Sequence, residues 1–325
     1  MNDYIYPLSF DPIFKEKVWG GTGLKQFVNR AIPAGKLIGE SWELVDRDNE
    51  ISVINNGSLK GMTLRDAIEK LQNKLIGTKR RLDHKGRFPL LIKYLDAHQK
   101  LSVQVHPDDE LARAFGEDDP GKAELWYIIH ADPGARIIHG CDASIKNVTS
   151  DDSISELLEQ SFHCRKISSG DVVFNPAGMV HALLGGTVLL EIQQNSDVTY
   201  RLFDWGRAGL NGELRELHLE KGIAAINSAI DESNNYRTSA SLIHDVEELI
   251  DCSYFKVDLM RLKSPFRNEC DGSAFHIVAT LEGMGTLQYR NAQIPLYKGD
   301  ILLLPAALGE YSIIPEDYLE TICVS

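Results

Sequence analysis

The chain lacks the features that direct a protein to a membrane or to nucleic acid. No apolar run in its 325 residues approaches the ~18 residues that a membrane-spanning helix requires. Acidic residues outnumber basic ones by 47 to 34, and the net charge of -13 leaves no broad basic face. We therefore expect no nucleic-acid and no membrane partner, and a phosphorylated ligand would need a local basic pocket.

Cysteine is also scarce. The five cysteines are scattered and include no CxxC pair, which favours reduced thiols over disulfides. The first seven residues contain neither a basic segment nor an apolar core, so no signal peptide is predicted. We expect a cytoplasmic protein, and its oligomeric state stays open.

Strand-like segments dominate what is present. At 43% hydrophobic residues the chain can bury a sizeable core, which favours two domains. Short apolar runs bounded by Gly, Pro, Asn or Asp predict antiparallel β-sandwich or barrel units. The predicted strands are 88–95, 125–130, 135–139, 172–175, 187–193, 255–262, 275–281 and 300–304.

Helical periodicity is limited to a few segments. Residues 63–76 place apolar side chains on one helical face, with Thr63 as the N-cap. Residues 108–115, 153–160 and 216–230 also predict helices. The segment 231–240 is polar and poor in apolar residues, so we expect the domain boundary there, with domains at 1–235 and 236–325.

Four polar residues of the first half form a plausible metal-binding set. Gln104 and His106 are two apart, so on a strand both side chains leave the same face. Glu124 enters an apolar strand, and His181 closes the segment 170–181. One amide oxygen, two imidazoles and one carboxylate suit a divalent cation such as zinc, and the lack of a thiolate favours a catalytic site.

A faint internal repeat relates the two halves of the chain. Residues 166–181 and 294–310 both contain Gly-Asp, four further residues and then Pro-Ala. In the second copy Ala307 replaces the later glycine, Glu310 replaces the histidine, and no Gln-x-His precedes it. We therefore predict two similar β-barrels, of which only the first retains a metal site.

These motifs resemble those of the cupins. Gly170-x5-Pro176-x-Gly178-x2-His181 resembles the second cupin motif, and Gln104-x-His106 with Glu124 resembles a modified first motif. This variation is similar to the type I mannose-6-phosphate isomerase family, in its compact bacterial form. Further segments that match this family, in order within residues 9–207, are Lys17-Val-Trp19-Gly-Gly, Gly39-Glu40-Ser-Trp-Glu43, Pro89-Leu-Leu-Ile-Lys93, Leu101-Ser102-Val-Gln-Val-His-Pro, Gly121-Lys122-x-Glu124-x-Trp-Tyr and residues 191–205.

The resemblance implies a mainly β fold of two cupin-type β-barrels, or jelly rolls, with a few helices and a degenerate second barrel. It implies a zinc-dependent aldose–ketose isomerase that interconverts mannose 6-phosphate and fructose 6-phosphate, with one zinc per chain. The residues that match the family's zinc ligands are Gln104, His106, Glu124 and His181.

The same resemblance implies roles for further residues. Arg201 matches the family's proposed catalytic arginine, and Lys93, Ser102 and Lys122 match polar residues that line its pocket. We expect Trp19 at the pocket wall with the substrate-binding residues.

Isomerisation through a cis-enediol(ate) needs a polarised carbonyl, a base and a group that stabilises an oxyanion. Arg201 suits the oxyanion, and Lys93 or Lys122 could bind the phosphate. Lys122 and Glu191 are both candidates for the base, and the sequence does not choose between them.

Structural alternatives exist for several of these residues. Gln104 could be a simple hydrogen-bonding strand residue, and Arg201 could form an ion pair with Asp197 or Asp204. Lys93 could extend its amine to solvent, and Glu191 could be only a structural ion-pair partner.

Two other functions remain open from the sequence. One is a non-catalytic cupin that binds sugar phosphates, and the other is an iron-dependent cupin oxygenase, because two histidines and a carboxylate also suit non-haem iron. Cobalt and manganese also suit these ligands.

Overall fold

A computed structural model describes residues 4–147, 160–227, 232–241 and 244–325. Within these ranges the protein is built mainly of antiparallel strands with a few short helices, as the strand-like segments predict. Most of the predicted helix 153–160 lies outside the described residues. No helix in the described part of the chain is long and apolar enough to cross a membrane.

The first part of the chain forms two large sheets that enclose a core, and a small sheet of two short strands. Its strands are β1 Ile13–Gly21, β2 Ile38–Leu44, β3 Asp46–Arg47, β4 Glu50–Ile51, β5 Leu90–Ala97, β6 Val103–Val105, β7 Glu124–Ala131, β8 Arg136–Cys141, β9 Phe162–Lys166, β10 Val172–Asn175, β11 His181–Leu183, β12 Thr187–Gln194, β13 Tyr200–Phe203 and β14 Tyr236–Arg237. One large sheet has the order β1-β2-β5-β12-β7-β10-β14, the other large sheet has the order β13-β6-β11-β8-β9, and β3 pairs with β4 in the small sheet. Trp126 and Leu189 of the first sheet share a buried cluster with Ile137 and Leu183 of the second, so this core lies between the sheets.

The second part forms one further sheet. Its strands are β15 Val246–Asp251, β16 Lys256–Leu262, β17 Phe266–Cys270, β18 His276–Tyr289, β19 Ala292–Tyr297, β20 Ile301–Leu304 and β21 Gly309–Val324. The order is β15-β16-β21-β18-β19, while β17 also pairs with β21 and β20 also pairs with β18. Strand β18 continues well beyond the predicted 275–281, because it pairs with the long strand β21 as far as Tyr289.

The outer face of the first sheet is covered by the second part of the chain. Ile92 and Leu190 belong to the same buried cluster as Leu303 and Ile322. Each fully buried aliphatic side chain of this kind contributes about 1.5–3 kcal/mol relative to an exposed one. The sheet whose inner face builds the site therefore has an apolar outer face that depends on the second part.

Five α-helices lie in the described residues. They are α1 Gly23–Phe27, α2 Leu64–Leu71, α3 Asn73–Ile76, α4 Asp109–Ala114 and α5 Leu219–Ala225. The predicted N-cap Thr63 is confirmed: its hydroxyl accepts the N–H of Asp66, whose carboxylate accepts the N–H of Thr63, a capping box. Likewise, Asp108 caps α4 by accepting the N–H of Leu111.

Two predicted helices differ from the observed ones. The helix predicted at 63–76 is interrupted at Gln72, which has a φ of 50°. The carbonyls of Lys74 and Leu75 accept N–H groups of Ala307 and Ala306 from the second part of the chain. The helix predicted at 216–230 is shorter, because Glu216 uses its carbonyl to accept a hydrogen bond from Arg201 and Asn227 donates to Gly178.

The internal repeat has a structural counterpart in two matching turns. Asp171 accepts the N–H of Ser168 at 2.8 Å, and Asp300 accepts the N–H of Tyr297 at 2.9 Å. In both copies the glycine before the aspartate has a positive φ, and a short strand follows. Near residue 235, strand β14 pairs with β10 of the first sheet, and β15 begins the second sheet; the division at 235 and 236 stays a prediction.

Candidate metal centre and cavity

Two histidines and a glutamate converge at the inner face of the two sheets. His106 follows β6, Glu124 begins β7 and His181 begins β11. One donor atom from each residue lies within 4.8 Å of the others, and all three residues are buried. The sheet order brings His106 and His181 together because β6 and β11 are neighbours, with Glu124 contributed by the opposite sheet.

Backbone carbonyls fix both imidazole rings. His106 Nδ1 lies 2.8 Å from the carbonyl of Val198, and His181 Nδ1 lies 2.9 Å from the carbonyl of Met179. A carbonyl can only accept, so each Nδ1 carries the proton and each Nε2 presents a lone pair. Such a hydrogen bond behind the ring is the usual arrangement for a metal-ligating histidine.

The centre contains buried acceptors that the protein itself leaves without hydrogen bonds. His106 Nε2 and both carboxylate oxygens of Glu124 are buried without a hydrogen bond of good geometry in the described residues, although Lys122 Nζ lies 2.9 Å from one of these oxygens. Buried acceptors with so few partners are costly, so the donor atoms favour a bound electrophile. The donor set fits a divalent cation.

The charges of the centre agree with this interpretation. Burial lowers the pKa of His106 to about 3, helped by the positive charge of Lys122. Burial alone would raise the pKa of Glu124, but the positive charge of Lys122, with smaller contributions from the adjacent imidazoles, holds it well below its usual range. Neutral imidazoles and an ionised carboxylate are the forms that bind a metal.

Gly178 links the segment that carries His181 to the backbone of His106. Its N–H donates to the carbonyl of His106 at 2.8 Å, and its φ is 88°. A Cβ at this position would lie 2.9 Å from the Cβ of Asn227, so both the conformation and the close approach require glycine.

Gln104 borders the centre through its amide nitrogen. Its Nε2 lies 3.2 Å from His181 Nε2, and its Oε1 accepts a hydrogen bond from the Ser102 hydroxyl at 3.3 Å. A rotation of the amide by 180° would exchange these atoms and direct the oxygen to the centre. Gln104 is thus close enough to act as a ligand, although its observed amide orientation is that of a hydrogen-bonding residue.

A cavity of about 590 Å³ opens beside the centre. The predicted site residues that line it are Trp19, Lys93, Ser102, Gln104, Lys122, Glu191 and Arg201. His106, Glu124 and His181 lie just behind this surface, because Lys122 Nζ is 2.9 Å from Glu124 and the Gln104 amide covers His181.

One wall of the cavity carries a row of paired side chains. Lys93, Glu191 and Trp126 are directly opposite one another on β5, β12 and β7, so they share the inner face. The Glu191 carboxylate is 2.6 Å from Lys93 Nζ and accepts the Trp126 indole N–H at 2.7 Å. Burial lowers the pKa of Lys93 to about 8, an effect that Glu40 partly offsets. Lys93 is therefore a cavity residue rather than one extended to solvent.

The opposite wall carries a second row. His181, Gln104 and Arg201 are register partners on β11, β6 and β13. Arg201 Nη1 donates to the carbonyl of Glu216 at 2.8 Å. Asp204 instead pairs with Arg207 and Arg215, so the ion pair considered for Arg201 is not the one formed.

Comparison with known proteins identifies the relatives of this arrangement. The family described as "Phosphomannose isomerase type I, catalytic domain" matches residues 8–122, and "Mannose-6-phosphate isomerase, cupin domain" matches residues 245–316. The chain is 39% identical to mannose-6-phosphate isomerase ManA of Bacillus subtilis, over 97% of this chain and 98% of that protein. The chain belongs to the type I phosphomannose isomerase family.

Other members of this family agree over the whole length. Mannose-6-phosphate isomerase of Streptococcus mutans is 33% identical, with 94% of each chain covered. The crystal structure of mannose 6-phosphate isomerase from Bacillus subtilis superposes with a TM-score of 0.84 at 32% identity, and covers 98% of this chain and 99% of that one. The prediction of a cupin fold, which the motifs carried, is confirmed.

Glu40 is a cavity residue that our sequence analysis did not assign to the site. Its carboxylate is 3.0 Å from Lys17 Nζ and accepts the Trp42 indole N–H at 2.6 Å. Burial would raise the pKa of Glu40, but the charges of Lys93 and Lys17 and the Trp42 bond lower it to about 2. The alternating residues of Gly39-Glu40-Ser41-Trp42 are the available sequence signal, because Glu40 and Trp42 share a strand face.

Proposed function

We propose that this protein is a metal-dependent aldose–ketose isomerase that interconverts mannose 6-phosphate and fructose 6-phosphate. The observation that carries the proposal is the convergence of two imidazole lone pairs and a buried carboxylate beside a cavity lined by both cationic and anionic side chains. Relatives at 39% and 33% identity over nearly the whole chain are named as isomerases of this substrate.

We propose zinc as the metal, one per chain, with His106, Glu124 and His181 as ligands and Gln104 as the fourth after its amide rotates. Two histidines and a carboxylate suit this ion. Zinc supplies Lewis-acid polarisation and orients the oxygens of the sugar. The protein itself holds His106 and His181 in the tautomer that presents the Nε2 lone pair to the metal.

The remaining roles follow the two walls of the cavity. Arg201 would stabilise the negative charge of the enediolate, because its guanidinium is always charged and has a buried Nε without a partner among the described residues. Glu191 or Lys122 would move the proton between the two carbons. Lys93 would hold Glu191 in position and add positive charge, and Ser102 and Trp19 would contact the sugar.

The test is isomerisation of mannose 6-phosphate, coupled to detection of fructose 6-phosphate. It is run on the protein as purified, after chelation, and after zinc is restored. Activity that is lost and regained supports both the reaction and the metal. His181→Ala should not be rescued by zinc, whereas His130→Ala, a surface histidine on the strand of Glu124, should behave as wild type.

Absence of turnover in fully metallated protein would contradict the isomerase. Tight binding of the sugar phosphate without turnover would instead indicate a binding protein. Iron in the purified protein together with oxygen uptake would indicate an oxygenase.

A further inference from the structure

Three guanidinium groups surround one carboxylate at the outer part of the cavity wall. Asp204 is buried and pairs with Arg207 Nη2 at 2.9 Å and with Arg215 Nε at 2.7 Å. Arg201 has no carboxylate within ion-pair distance in the described part of the chain. Three positive charges against one negative charge leave an excess of two on this wall.

The other cavity cations do not share this excess. Lys17 pairs with Glu40, Lys93 with Glu191, and Lys122 with Glu124. Lys221, at the rim, pairs with Glu117 at 2.7 Å. Within the described residues Arg201 is therefore the lysine or arginine of the cavity lining that has no contacting carboxylate, and Arg215 beside it shares Asp204 with Arg207.

Only two of the three arginines reach the cavity. Arg201 and Arg215 line it, whereas Arg207 turns away and donates to the carbonyl of Lys100. Burial lowers the pKa of Arg201, and the positive charge of Arg215 is the largest of the neighbouring charges that add to this effect. Two like charges on one partly buried wall are unfavourable unless an anion lies between them.

The wall lies at a suitable distance from the candidate metal centre. His181, Gln104 and Arg201 follow one another across three neighbouring strands, so Arg201 is two strand spacings, about 10 Å, from His181 along the sheet. Arg215 comes from the loop beyond this strand. A ligand with its reacting carbons at the centre would extend its far end towards the arginines.

We propose that Arg215 binds the phosphate group of the substrate, and that Asp204 is the positioning residue that holds Arg215 in the cavity. This inference rests on the proposed function, and it replaces the expectation that Lys93 or Lys122 binds the phosphate, since the ammonium groups of those lysines lie beside Glu191 and Glu124. Arg215 uses Nε and Nη2 for Asp204, and its Nη1 group is not engaged by that carboxylate. A guanidinium fixed in this way is pre-organised for phosphate oxygens.

The chain offers a matched pair of variants for the test. Arg215→Gln and Arg207→Gln each remove one ion pair to the same carboxylate, but only Arg215 lines the cavity. For Arg215→Gln we expect KM for mannose 6-phosphate to rise about ten- to hundredfold with a smaller change in kcat, the loss typical of a charged hydrogen bond. Arg207→Gln should lower the melting temperature about as much as Arg215→Gln does, because each variant loses one ion pair to Asp204. Its KM should stay within about twofold of wild type.

Inorganic phosphate serves as the second probe, as a competitive inhibitor of wild type and variants. Its inhibition constant should rise in Arg215→Gln in parallel with KM. Arg215→Lys keeps the positive charge but loses the two-pronged hydrogen bonding of the guanidinium. Asp204→Asn keeps Arg215 but removes the carboxylate that holds it. For both variants we expect KM and the phosphate inhibition constant to lie between those of wild type and Arg215→Gln. These milder variants keep the test informative if the glutamine variant does not fold.

Several outcomes would overturn the inference while leaving the isomerase intact. Equal KM values for the two glutamine variants would do so, as would an increase in the phosphate inhibition constant alone, which would indicate a site for free phosphate. A wild-type protein without turnover is a different result, because it contradicts the proposed function itself.

Discussion

Lys93 and Glu191 lie directly opposite each other on neighbouring antiparallel strands, and their charged atoms are 2.6 Å apart inside the cavity. Both side chains are buried, so each charge depends on the other for compensation. Because the pKa of Lys93 is lowered to about 8, mainly by burial, this pair is sensitive to mildly alkaline pH.

The first prediction concerns this pH dependence. Above pH 8 Lys93 loses its proton, Glu191 loses its cationic partner, and kcat/KM should fall. Stability should change in the opposite direction: an unfolded lysine keeps its proton to about pH 10.4, so the unfolded state binds more protons between the two pKa values. This group therefore makes the free energy of unfolding increase with pH in that window.

The measurement is a pH profile of kcat/KM with urea unfolding at the same pH values. Lys93→Arg keeps its charge and should lack the alkaline fall, whereas Lys17→Arg should retain it. An unchanged profile in Lys93→Arg would assign the fall to another group.

The second prediction separates the two candidate bases. Glu191→Gln should lower kcat by about 10²–10⁴, the range for loss of a general base, without changing zinc content. Lys122→Met should alter zinc affinity as well, because Lys122 Nζ lies 2.9 Å from the candidate ligand Glu124. Metal analysis and kcat measured on the same preparations distinguish them, and a small kcat effect in Glu191→Gln would remove that residue as the base.

The third prediction concerns Gln104. Gln104→Ala should weaken zinc binding about 10- to 100-fold, whereas Gln104→Glu, which supplies an oxygen in the same place, should retain the metal. Ser102→Ala, on the same strand face, is the control and should change zinc affinity little. Chelator competition measures all three, and equal effects of the two alanine variants would show that the amide is not a ligand.

The fourth prediction concerns the contact between the two parts of the chain. The Tyr127 hydroxyl on β7 donates to Glu320 on β21, which also pairs with Arg261 at 2.9 Å. Tyr127→Phe should destabilise the protein by about 1 kcal/mol, since the carboxylate keeps its other partners. Tyr318→Phe removes a bond to the same carboxylate within one strand, and should cost less in urea unfolding. The reverse order would contradict a stabilising role at this contact.

The sequence predicted the strand framework well, because apolar runs bounded by turn residues need only local information. The Thr63 cap was predictable for the same reason. The grouping of His106, Glu124 and His181 came from their donor types and from the family resemblance, and the structure brings their donor atoms within 4.8 Å of one another. The strands and the cap share a signal contained within a few residues, whereas the metal set does not.

Features that depend on distant pairing were not predictable. The turn of helix after the break at Gln72 accepts hydrogen bonds from Ala306 and Ala307, more than 200 residues away. The Asp204 cluster has no periodic pattern, because Arg207 and Arg215 approach it from an irregular loop. Glu40 acquires its role from Lys93, which another strand contributes.

The sheet that carries Glu124 and Glu191 on one face carries Leu125, Leu190 and Ile192 on the other, packed against the C-terminal strands. A chain shortened to its metal-bearing part would expose that apolar face to water and would be prone to self-association. We therefore expect that the C-terminal part cannot be removed without destabilising this sheet, even though its described residues contain no metal-donor cluster. Its replacement in a chimera would then disturb the sheet that holds Glu124.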